Sequence, residues 1–314
     1  MRAMEKISII IPTFNRPREL TNCIISVLEQ TVRSYELIVV DDGNLREQPL
    51  REECQAAGIR YIYYKKDRPG MAASRNVGIG LATGDVVFFL DDDVVLFPDY
   101  LEEILNTYHA YRNQYIAGVG GIIANMKPLT LGKRLWRICD LLFLNAGIEE
   151  GKALKSGFIT NFGETEIPLR RVTSVDFLMG GVCSFRREIF KEFLFLERYR
   201  RHGHGKADDK EFSYRVSKKY KLLVNPKAKL FHYKSPKMRY GKRKFGQEFV
   251  FGRYRFFKDL IHKNDWDWIF FFYAIIGYLL KRVIVLFISF DISEVDHVRG
   301  AITGFMDILR RREL

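Results

Sequence analysis

The sequence is poor in cysteine, and no two of its cysteines have the spacing of a zinc site or a redox motif. The four, Cys23, Cys54, Cys139 and Cys183, are scattered along the chain. This scatter excludes a disulfide framework and a cysteine-based zinc module, and it is typical of reduced thiols in a cytosolic protein. The N-terminus runs into a predicted strand almost at once, so we expect no signal peptide.

Acidic residues are scarce in one long stretch of the chain. Residues 198–244 contain 17 Lys and Arg against three acids, which gives this stretch a charge of +14, while the whole chain carries +13. Such a stretch attracts lipid headgroups, sugar diphosphates or nucleic acid, or else it forms a solvated face. A hydrophobic share of 47% excludes a disordered chain, and 314 residues suffice for one large domain with an extension.

Three consecutive acids, Asp91, Asp92 and Asp93, follow the unbroken apolar run at 86–90. The run predicts a strand that is buried on both faces, and ligands of open α/β sheets bind beyond the carboxyl ends of such strands. Adjacent carboxylates repel one another unless a cation compensates their charge. The triplet therefore predicts a divalent metal site, and the alternative is a solvated acidic turn.

The first ninety residues alternate between β-branched runs and amphipathic stretches. This alternation predicts a doubly wound α/β sheet. The expected strands cover 6–12, 36–40, 59–64 and 86–90, and the expected helices cover 17–30, 50–57 and 71–83.

Polar residues follow the ends of these predicted strands. Thr13, Asn15 and Arg16 suit contacts with a nucleotide, and the carboxylate of Asp42 suits the N3–H of a uracil. Arg75, at the start of a helix, suits a diphosphate because guanidinium pairs with phosphate in bidentate fashion. Each residue alone is also ordinary in a turn or a helix entry.

Four motifs in order resemble glycosyltransferase family two: SIIIPTFNRP, ELIVVDDGN, GMAASRNVGIGLATGDVVFFLDDDV and VDFLMGGVCSFRRE. The resemblance implies an inverting enzyme with the GT-A fold, a Rossmann-like mixed α/β sheet flanked by helices. It implies a catalytic domain at 1–235, with a nucleotide-binding half at 1–123 and an acceptor half at 124–235. A helical, membrane-associated extension is expected at 236–314.

The resemblance also assigns roles around the acidic triplet. It places Pro12, Thr13, Asn15, Arg16 and Asp42 in the nucleotide pocket. It makes the triplet the DxD element, in which Asp93 is the expected ligand of Mg²⁺ or Mn²⁺. Asp91 and Asp92 are expected to face the ribose and diphosphate, with Asp91 as a second candidate ligand.

Two further roles come from the same resemblance. The pair Asp208-Asp209 matches the acid that precedes a helix in the family, and there the second acid is the general base. We therefore predict Asp209 as the base, with Asp208 as the alternative. His232 follows at the distance where related enzymes place a metal-binding histidine, and the alternative is a structural histidine.

The segment 266–290 is nearly all apolar apart from Asp267 and the pair Lys281-Arg282. Its length permits a membrane span, but two adjacent cations would each cost roughly 2.5 to 3.5 kcal/mol at the bilayer centre. We expect helices that lie in the interface or re-enter it, with both cations reaching lipid phosphates. The expected location is cytoplasmic, at the inner face of an anionic membrane, and the alternative is a buried helical hairpin.

The sequence thus predicts a metal-dependent inverting glycosyltransferase that uses a nucleotide sugar, with a UDP-sugar as the expected donor. The expected acceptor is a hydroxyl of a glycan or lipid-linked glycan, because the Gln-x-x-Arg-Trp signature of processive synthases is missing. A polyprenyl-phosphate sugar synthase is the alternative. A non-catalytic scaffold that binds nucleic acid or membrane is the rival from another class, although acids at strand ends would repel nucleic-acid phosphates.

Overall fold

The structure is a computed structural model that describes residues 5–46, 48–126, 131–162, 169–197, 208–233, 241–289 and 291–310. The chain divides into two compact units. Unit 1 contains Met1–Met126 and Leu169–Ser235, and unit 2 contains Lys127–Pro168 and Pro236–Leu314. Each unit is therefore assembled from two separate parts of the chain.

The first half of unit 1 alternates strands with helices, as predicted. Strand β1 lies between β2 and β4, β3 pairs with β2, and all four strands are parallel. The elements are β1 (Ile7–Thr13), α1 (Pro17–Leu28), β2 (Glu36–Asp41), α2 (Arg51–Ala56), β3 (Arg60–Lys65), α3 (Met71–Leu81) and β4 (Val86–Leu90).

The second half of the sheet adds antiparallel pairs and makes the sheet mixed, which confirms the predicted fold class. The strand order is β3-β2-β1-β4-β8-β6-β9-β5, with β7 paired to β9. The elements are β5 (Val94–Leu96), α4 (Tyr100–Ala110), β6 (Ile116–Ile123), α5 of unit 2 (Leu131–Leu142), β7 (Thr173–Val175), β8 (Val182–Arg186), α6 (Asp208–Ser217) and β9 (Lys221–His232).

The core of unit 1 lies between the sheet and its helices. Every residue of β4 is buried, as its apolar run predicts. Helix α1 covers the sheet with Leu20, Ile24 and Val27, which lie on one helical face at the spacing i, i+4, i+7. Each such side chain stabilises the fold by roughly 1.5 to 3 kcal/mol when it is fully buried. The four cysteines lie apart as free thiols.

Two strands differ from their predicted bounds. Residues 176–183, DFLMGGVC, predict a strand from their sequence, but β8 begins only at Val182. The chain turns before it at Gly180 and Gly181, and Gly181 has a φ of +75°. The proline-containing residues 226–229 predict a turn from their sequence, but they lie inside β9, where extra residues bulge between two pairing segments with β6. The strand then continues to His232, which pairs with Val94 of β5.

Unit 2 is helical. Its core contains the fully buried Phe257, Phe271 and Ala301, together with the buried Val250. Helix α8 is, among the described residues, the one helix that is long and apolar enough to cross a membrane, and 22% of the stretch Asp267–Ile288 is buried. The remaining elements are α7 (Lys242–Phe256), a π-helical turn (Phe257–Ile261), α8 (Asp267–Ser289) and α9 (Ile292–Leu309).

Candidate active site

The acidic triplet forms the short connection between β4 and β5 at the carboxyl edge of the parallel strands. Asp92 and Asp93 are only 4% and 8% exposed, and the side chain of Asp91 is 27% exposed. Carboxylates with this much burial do not form a solvated acidic turn. They need hydrogen-bond donors or cations to compensate their lost hydration.

Asp92 is held by the loop that follows β1. Its carboxylate accepts hydrogen bonds from Thr13 Oγ1 at 2.8 Å and from Arg16 Nη1 at 3.0 Å. Burial raises the pKa of Asp92 to about 6, although the Arg16 charge and the two hydrogen bonds act in the opposite direction. Both oxygens of Asp92 are thus engaged, so this residue fixes the loop around the triplet.

Asp91, Asp93 and His232 form a candidate cation site. One ligand atom from each lies within 4.8 Å of the other two. The Nε2 atom of His232 is 2.9 Å from Asp93 Oδ1, because the pairing of β5 with β9 sets His232 opposite Val94. Burial raises the pKa of Asp91 because it disfavours the ionised carboxylate. A bound cation would offset this penalty. Two carboxylates and one imidazole fit Mg²⁺ or Mn²⁺, so the donor set agrees with the predicted metal.

Arg75 bridges the triplet to helix α6. Its buried guanidinium lies 3.7 Å from Asp91 and 3.5 Å from Asp208. Burial opposes the charge of Arg75, but the carboxylates of Asp208 and Asp91 outweigh it and raise the arginine pKa. For Asp208, burial acts in the direction of the neutral acid and raises its pKa to about 6. The Nη1 atom of Arg75 and the Oδ2 atom of Asp208 are buried without a hydrogen-bond partner, so this pair retains unused hydrogen-bonding capacity.

Asp209 sits differently from its neighbour Asp208. The Oδ2 atom of Asp209 accepts a hydrogen bond of 2.7 Å from the backbone N–H of Gly180. Asp209 is partly exposed, whereas Asp208 is buried. Of the two acids, Asp209 is therefore the one that an acceptor molecule can reach from solvent.

The glycine turn before β8 approaches the triplet closely. A Cβ atom built on Gly181 would lie 2.2 Å from the carboxyl carbon of Asp91, and one on Gly180 would lie 2.7 Å from Nη2 of Arg75. A side chain at either position would have to displace these groups, and the φ of +75° at Gly181 favours glycine for a conformational reason as well. The turn thereby sets the positions of Asp91, Arg75 and Asp209.

Asp42 forms a second polar cluster at the same edge of the sheet. Its carboxylate accepts hydrogen bonds from Ser74 Oγ at 2.6 Å and Gly70 N–H at 2.9 Å, and Lys66 Nζ lies 2.8 Å away. Lys66 and Ser74 are not among the residues predicted from the sequence. Their signal is positional, since both follow the end of β3, as Asp42 follows the end of β2.

Pro12 and Asn15 contact neighbouring backbone and do not contact the acidic triplet through any described hydrogen bond. Pro12 is buried within β1. Asn15 has a φ of +54°, and its Oδ1 atom accepts a hydrogen bond of 2.7 Å from the backbone N–H of Asn44. Pro12 is thus part of the strand and Asn15 holds the turn after it, while Thr13 and Arg16 contact the triplet directly.

Comparison with known proteins agrees with this geometry. The model of Glycosyl transferase family 2 matches residues 8–194, more than half of the chain. The poly(ribitol-phosphate) beta-N-acetylglucosaminyltransferase TarP of Staphylococcus aureus is 36% identical over 123 residues, which are 38% of each protein. The glucosyl-dolichyl phosphate glucuronosyltransferase of Haloferax volcanii is 31% identical over 190 residues, 60% of this chain and 54% of that protein.

A solved structure shares the fold over nearly the whole chain. The mannosyltransferase PcManGT from Pyrobaculum calidifontis, in complex with GDP-Man and Mn²⁺, superimposes with a TM-score of 0.58 at 15% identity. The match covers 99% of this chain and 89% of that one. This likeness confirms the predicted GT-A fold. Given the match of the family model over residues 8–194, the chain belongs to glycosyl transferase family 2.

Proposed function

We propose that the protein is a metal-dependent inverting glycosyltransferase that moves a sugar from a nucleotide-diphosphate sugar to a hydroxyl group. The observation that carries the proposal is the convergence of Asp91, Asp93 and His232 beside Arg75. A cation site next to a buried guanidinium suits a diphosphate leaving group. Membership of the family and the names of its relatives support the same reaction class.

Asp93, His232 and Asp91 are the residues that would hold Mg²⁺ or Mn²⁺. When bound there, such an ion supplies positive charge that offsets the charge developing on the departing diphosphate. Arg75 contributes a second positive charge, held in place by Asp208. The guanidinium geometry suits two phosphate oxygens at once.

Asp209 is the proposed general base. It takes the proton of the acceptor hydroxyl while the hydroxyl oxygen forms a bond to the anomeric carbon of the sugar. The bond between that carbon and the diphosphate oxygen breaks, and its electron pair leaves with the nucleoside diphosphate. Because attack and departure occur on opposite faces, the anomeric configuration is inverted. The hydrogen bond from Gly180 fixes the Asp209 carboxylate for this step.

The donor and acceptor are proposed more specifically from the second polar cluster and from the relatives. Asp42, supported by Ser74 and Lys66, offers a carboxylate for the N3–H of a uracil, so a UDP-sugar is the proposed donor. A glycan or a lipid-linked glycan is the proposed acceptor. The names of the Staphylococcus and Haloferax proteins give a polymeric and a dolichyl-phosphate-linked substrate for those two proteins.

The test is turnover of a panel of UDP- and GDP-sugars by the purified protein with Mn²⁺. We expect one donor to be consumed and the rate to fall by about a thousandfold in Asp93→Ala, since the site loses a metal ligand. Asp209→Asn should lower the rate by roughly 10²- to 10⁴-fold while donor binding is kept. Asp85→Ala is the matched control. Asp85 is an exposed acid directly before the first residue of β4, and the triplet follows the last residue of that strand.

Metal binding is read separately, by titrating Mn²⁺ and following the melting temperature. A ligand that binds only the native state raises this temperature by mass action. Asp93→Ala should remove the rise and Asp85→Ala should keep it. If no donor is consumed and none raises the melting temperature with Mn²⁺, the enzyme proposal fails and a non-catalytic role replaces it. Transfer of the sugar to a polyprenyl phosphate, rather than to a hydroxyl, would favour the polyprenyl-phosphate sugar synthase.

A further inference from the structure

Helix α8 presents an apolar face to solvent. Its exposed side chains are, among those described, all apolar or tyrosine, and they recur at helical spacing over about five turns. Trp266, directly before the helix, is 74% exposed, and Phe287 near its end is 71% exposed. The exposed set is Ile269, Phe270, Tyr273, Ile276, Leu280, Ile284, Phe287 and Ile288. We name this set the α8 face.

Helix α5 lies along α8 and adds to this surface. The backbone of Gly277 lies against Phe143, just after α5, and Tyr273 donates a hydrogen bond to the carbonyl of Leu142. Three apolar residues of α5, Leu135, Ile138 and Leu142, are each more than 60% exposed and share one helical face. Large apolar side chains exposed on two helices in contact are typical of an interaction site.

The two cations inside α8 are neutralised within unit 2. Lys281 Nζ lies 2.6 Å from both carboxylate oxygens of Asp140 on α5, and Arg282 forms an ion pair with Glu294 on α9. The sequence alone predicts that both cations reach lipid phosphates. The structure instead turns them to partners on neighbouring helices, so neither charge interrupts the α8 face.

The opposite face of α8 is packed against protein. Phe271, Ala274 and Ile275 are fully buried in the core of unit 2. A helix with one face in a protein core and the other exposed is not surrounded by lipid on all sides. This geometry suits a helix that lies in the plane of a membrane surface rather than one that crosses it.

We propose that the α8 face, together with the exposed residues of α5, docks on an anionic lipid bilayer, with α8 lying in the plane of the interface. The surroundings favour lipid over a second copy of the chain. Lys155 lies 5.8 Å from the Phe270 ring, and Lys263 and Arg134 are exposed nearby in the sequence. Exposed acids also lie in the neighbouring sequence, at Glu149, Asp259, Asp265, Asp291 and Asp296. Unit 2 as a whole is nevertheless basic, with 21 Lys and Arg against 14 Asp and Glu.

A unit with this net positive charge is attracted to anionic headgroups, whereas two copies of the unit repel each other. An exposed tryptophan at the start of the helix is also typical of the headgroup region. No residue of the candidate active site belongs to the α8 face. The inference therefore does not depend on the proposed glycosyl transfer.

The test is sedimentation of the full chain with vesicles of phosphatidylcholine and phosphatidylglycerol. We expect the wild-type protein to bind, and the variant Ile276→Gln/Leu280→Gln/Ile284→Gln to bind about tenfold or more weakly, because three apolar anchors are removed. The control is Ile25→Gln/Leu194→Gln, the same chemical change at exposed positions of unit 1, and it should bind as the wild type does. Equal melting temperatures of the variants confirm that folding is intact.

Trp266 gives a second readout. Its fluorescence should shift to shorter wavelength when vesicles are added and should be quenched by brominated lipids, with Trp266→Phe as the control.

Absence of vesicle binding by the wild-type protein would overturn the proposal, and so would unchanged binding by the triple variant. If the wild-type protein is a dimer in size-exclusion chromatography and the triple variant is a monomer, while neither binds vesicles, the face joins two copies of the chain instead. Equal binding to vesicles of phosphatidylcholine alone would overturn the claim that the bilayer has to be anionic.

Discussion

At the scale of single residues, the site depends on charges that the fold holds in fixed pairs. Asp92 is bound by Thr13 and Arg16, Asp93 by His232, and Arg75 lies between Asp91 and Asp208. Removing one partner from a buried pair leaves an uncompensated charge, which is more costly than the pair itself is stabilising. Asp208 forms such a buried pair with Arg75, whereas Asp209 is partly exposed, so the two neighbouring acids differ in their surroundings.

The first prediction concerns the pH dependence of stability. Burial raises the pKa of Asp208 from 3.8 to about 6, with Arg75 opposing the rise and Asp209 and Asp91 adding to it. The folded state thus holds this proton more tightly than the unfolded chain does. The contribution of Asp208 to the free energy of unfolding is full below pH 4 and falls as the pH rises to about 6.

Asp208→Asn should remove the Asp208 share of the fall, because an amide does not ionise, while Asp92, whose pKa burial also raises to about 6, keeps its own share. The measurement is urea unfolding at pH 4, 5, 6 and 8, and the quantity compared is the change in free energy between pH 4 and pH 8. Asp85→Asn, a change at an exposed acid, should keep the wild-type dependence. A variant Asp208→Asn with the full wild-type fall would show that other groups cause it.

Residues that follow strand ends were within reach of the sequence. Asp42, Arg75 and the acidic triplet were predicted from their place after apolar runs, and the structure puts them at one edge of the sheet. Lys66 and Ser74 were not predicted, because a lysine just after a strand and a serine inside a helix are both common. Their meaning comes from their contacts with Asp42, which the sequence does not display.

At the scale of elements, the glycine turn before β8 connects packing to chemistry. Gly181 combines a φ of +75° with a backbone that touches the Asp91 carboxylate. Gly58 has a φ of +77°, and a Cβ atom there would meet nothing within 4 Å. The two glycines therefore separate the backbone effect from the steric effect.

We predict that Gly181→Ala and Gly58→Ala each lower the free energy of unfolding by about 1 kcal/mol through the disfavoured backbone conformation. The new methyl group of Gly181→Ala must also displace Asp91, so this variant alone should lose turnover, by about a hundredfold or more. Chemical denaturation and initial rates measure the two effects. Equal activity in both variants would mean that the position of Asp91 is not critical.

The sequence predicted the first seven elements within a few residues, since each has a clear hydrophobic period. It did not reveal that β9 continues past its bulge to His232, because Asn225-Pro226 reads as a turn in isolation. Nor did it reveal that α5 packs on α8. That contact rests on one glycine, Gly277, and on an ion pair between residues 141 positions apart. Local patterns carry no information about such distant pairs.

At the scale of the whole molecule, charge and apolar surface are distributed unevenly. The chain carries a net charge of +13, and residues 198–244 alone carry +14. The rest of the chain, which contains the acidic triplet, is therefore close to neutral. Long-range attraction to anionic surfaces and the short-range α8 face are therefore separable contributions to binding.

The third prediction separates them by salt. Raising the salt concentration from 0.05 to 0.5 M shortens the screening length to a few ångströms. Vesicle binding by the wild-type protein should weaken by about tenfold and then level off, because burial of apolar side chains does not depend on charge. The variant Ile276→Gln/Leu280→Gln/Ile284→Gln should lose the remaining binding at high salt. If wild-type binding vanishes at high salt, the α8 face makes no measurable contribution to vesicle binding.

The fixed pairing of Asp92 with Thr13 and Arg16, and of Asp93 with His232, also has a kinetic consequence. These side chains lose their rotational freedom when the chain folds, not when a ligand arrives. A preorganised site does not have to rearrange in order to bind, so the encounter with a hydrated ion is slowed mainly by removal of water from that ion. In the proposed metal site, Asp92 would therefore hold the loop in the same conformation before and after a cation binds.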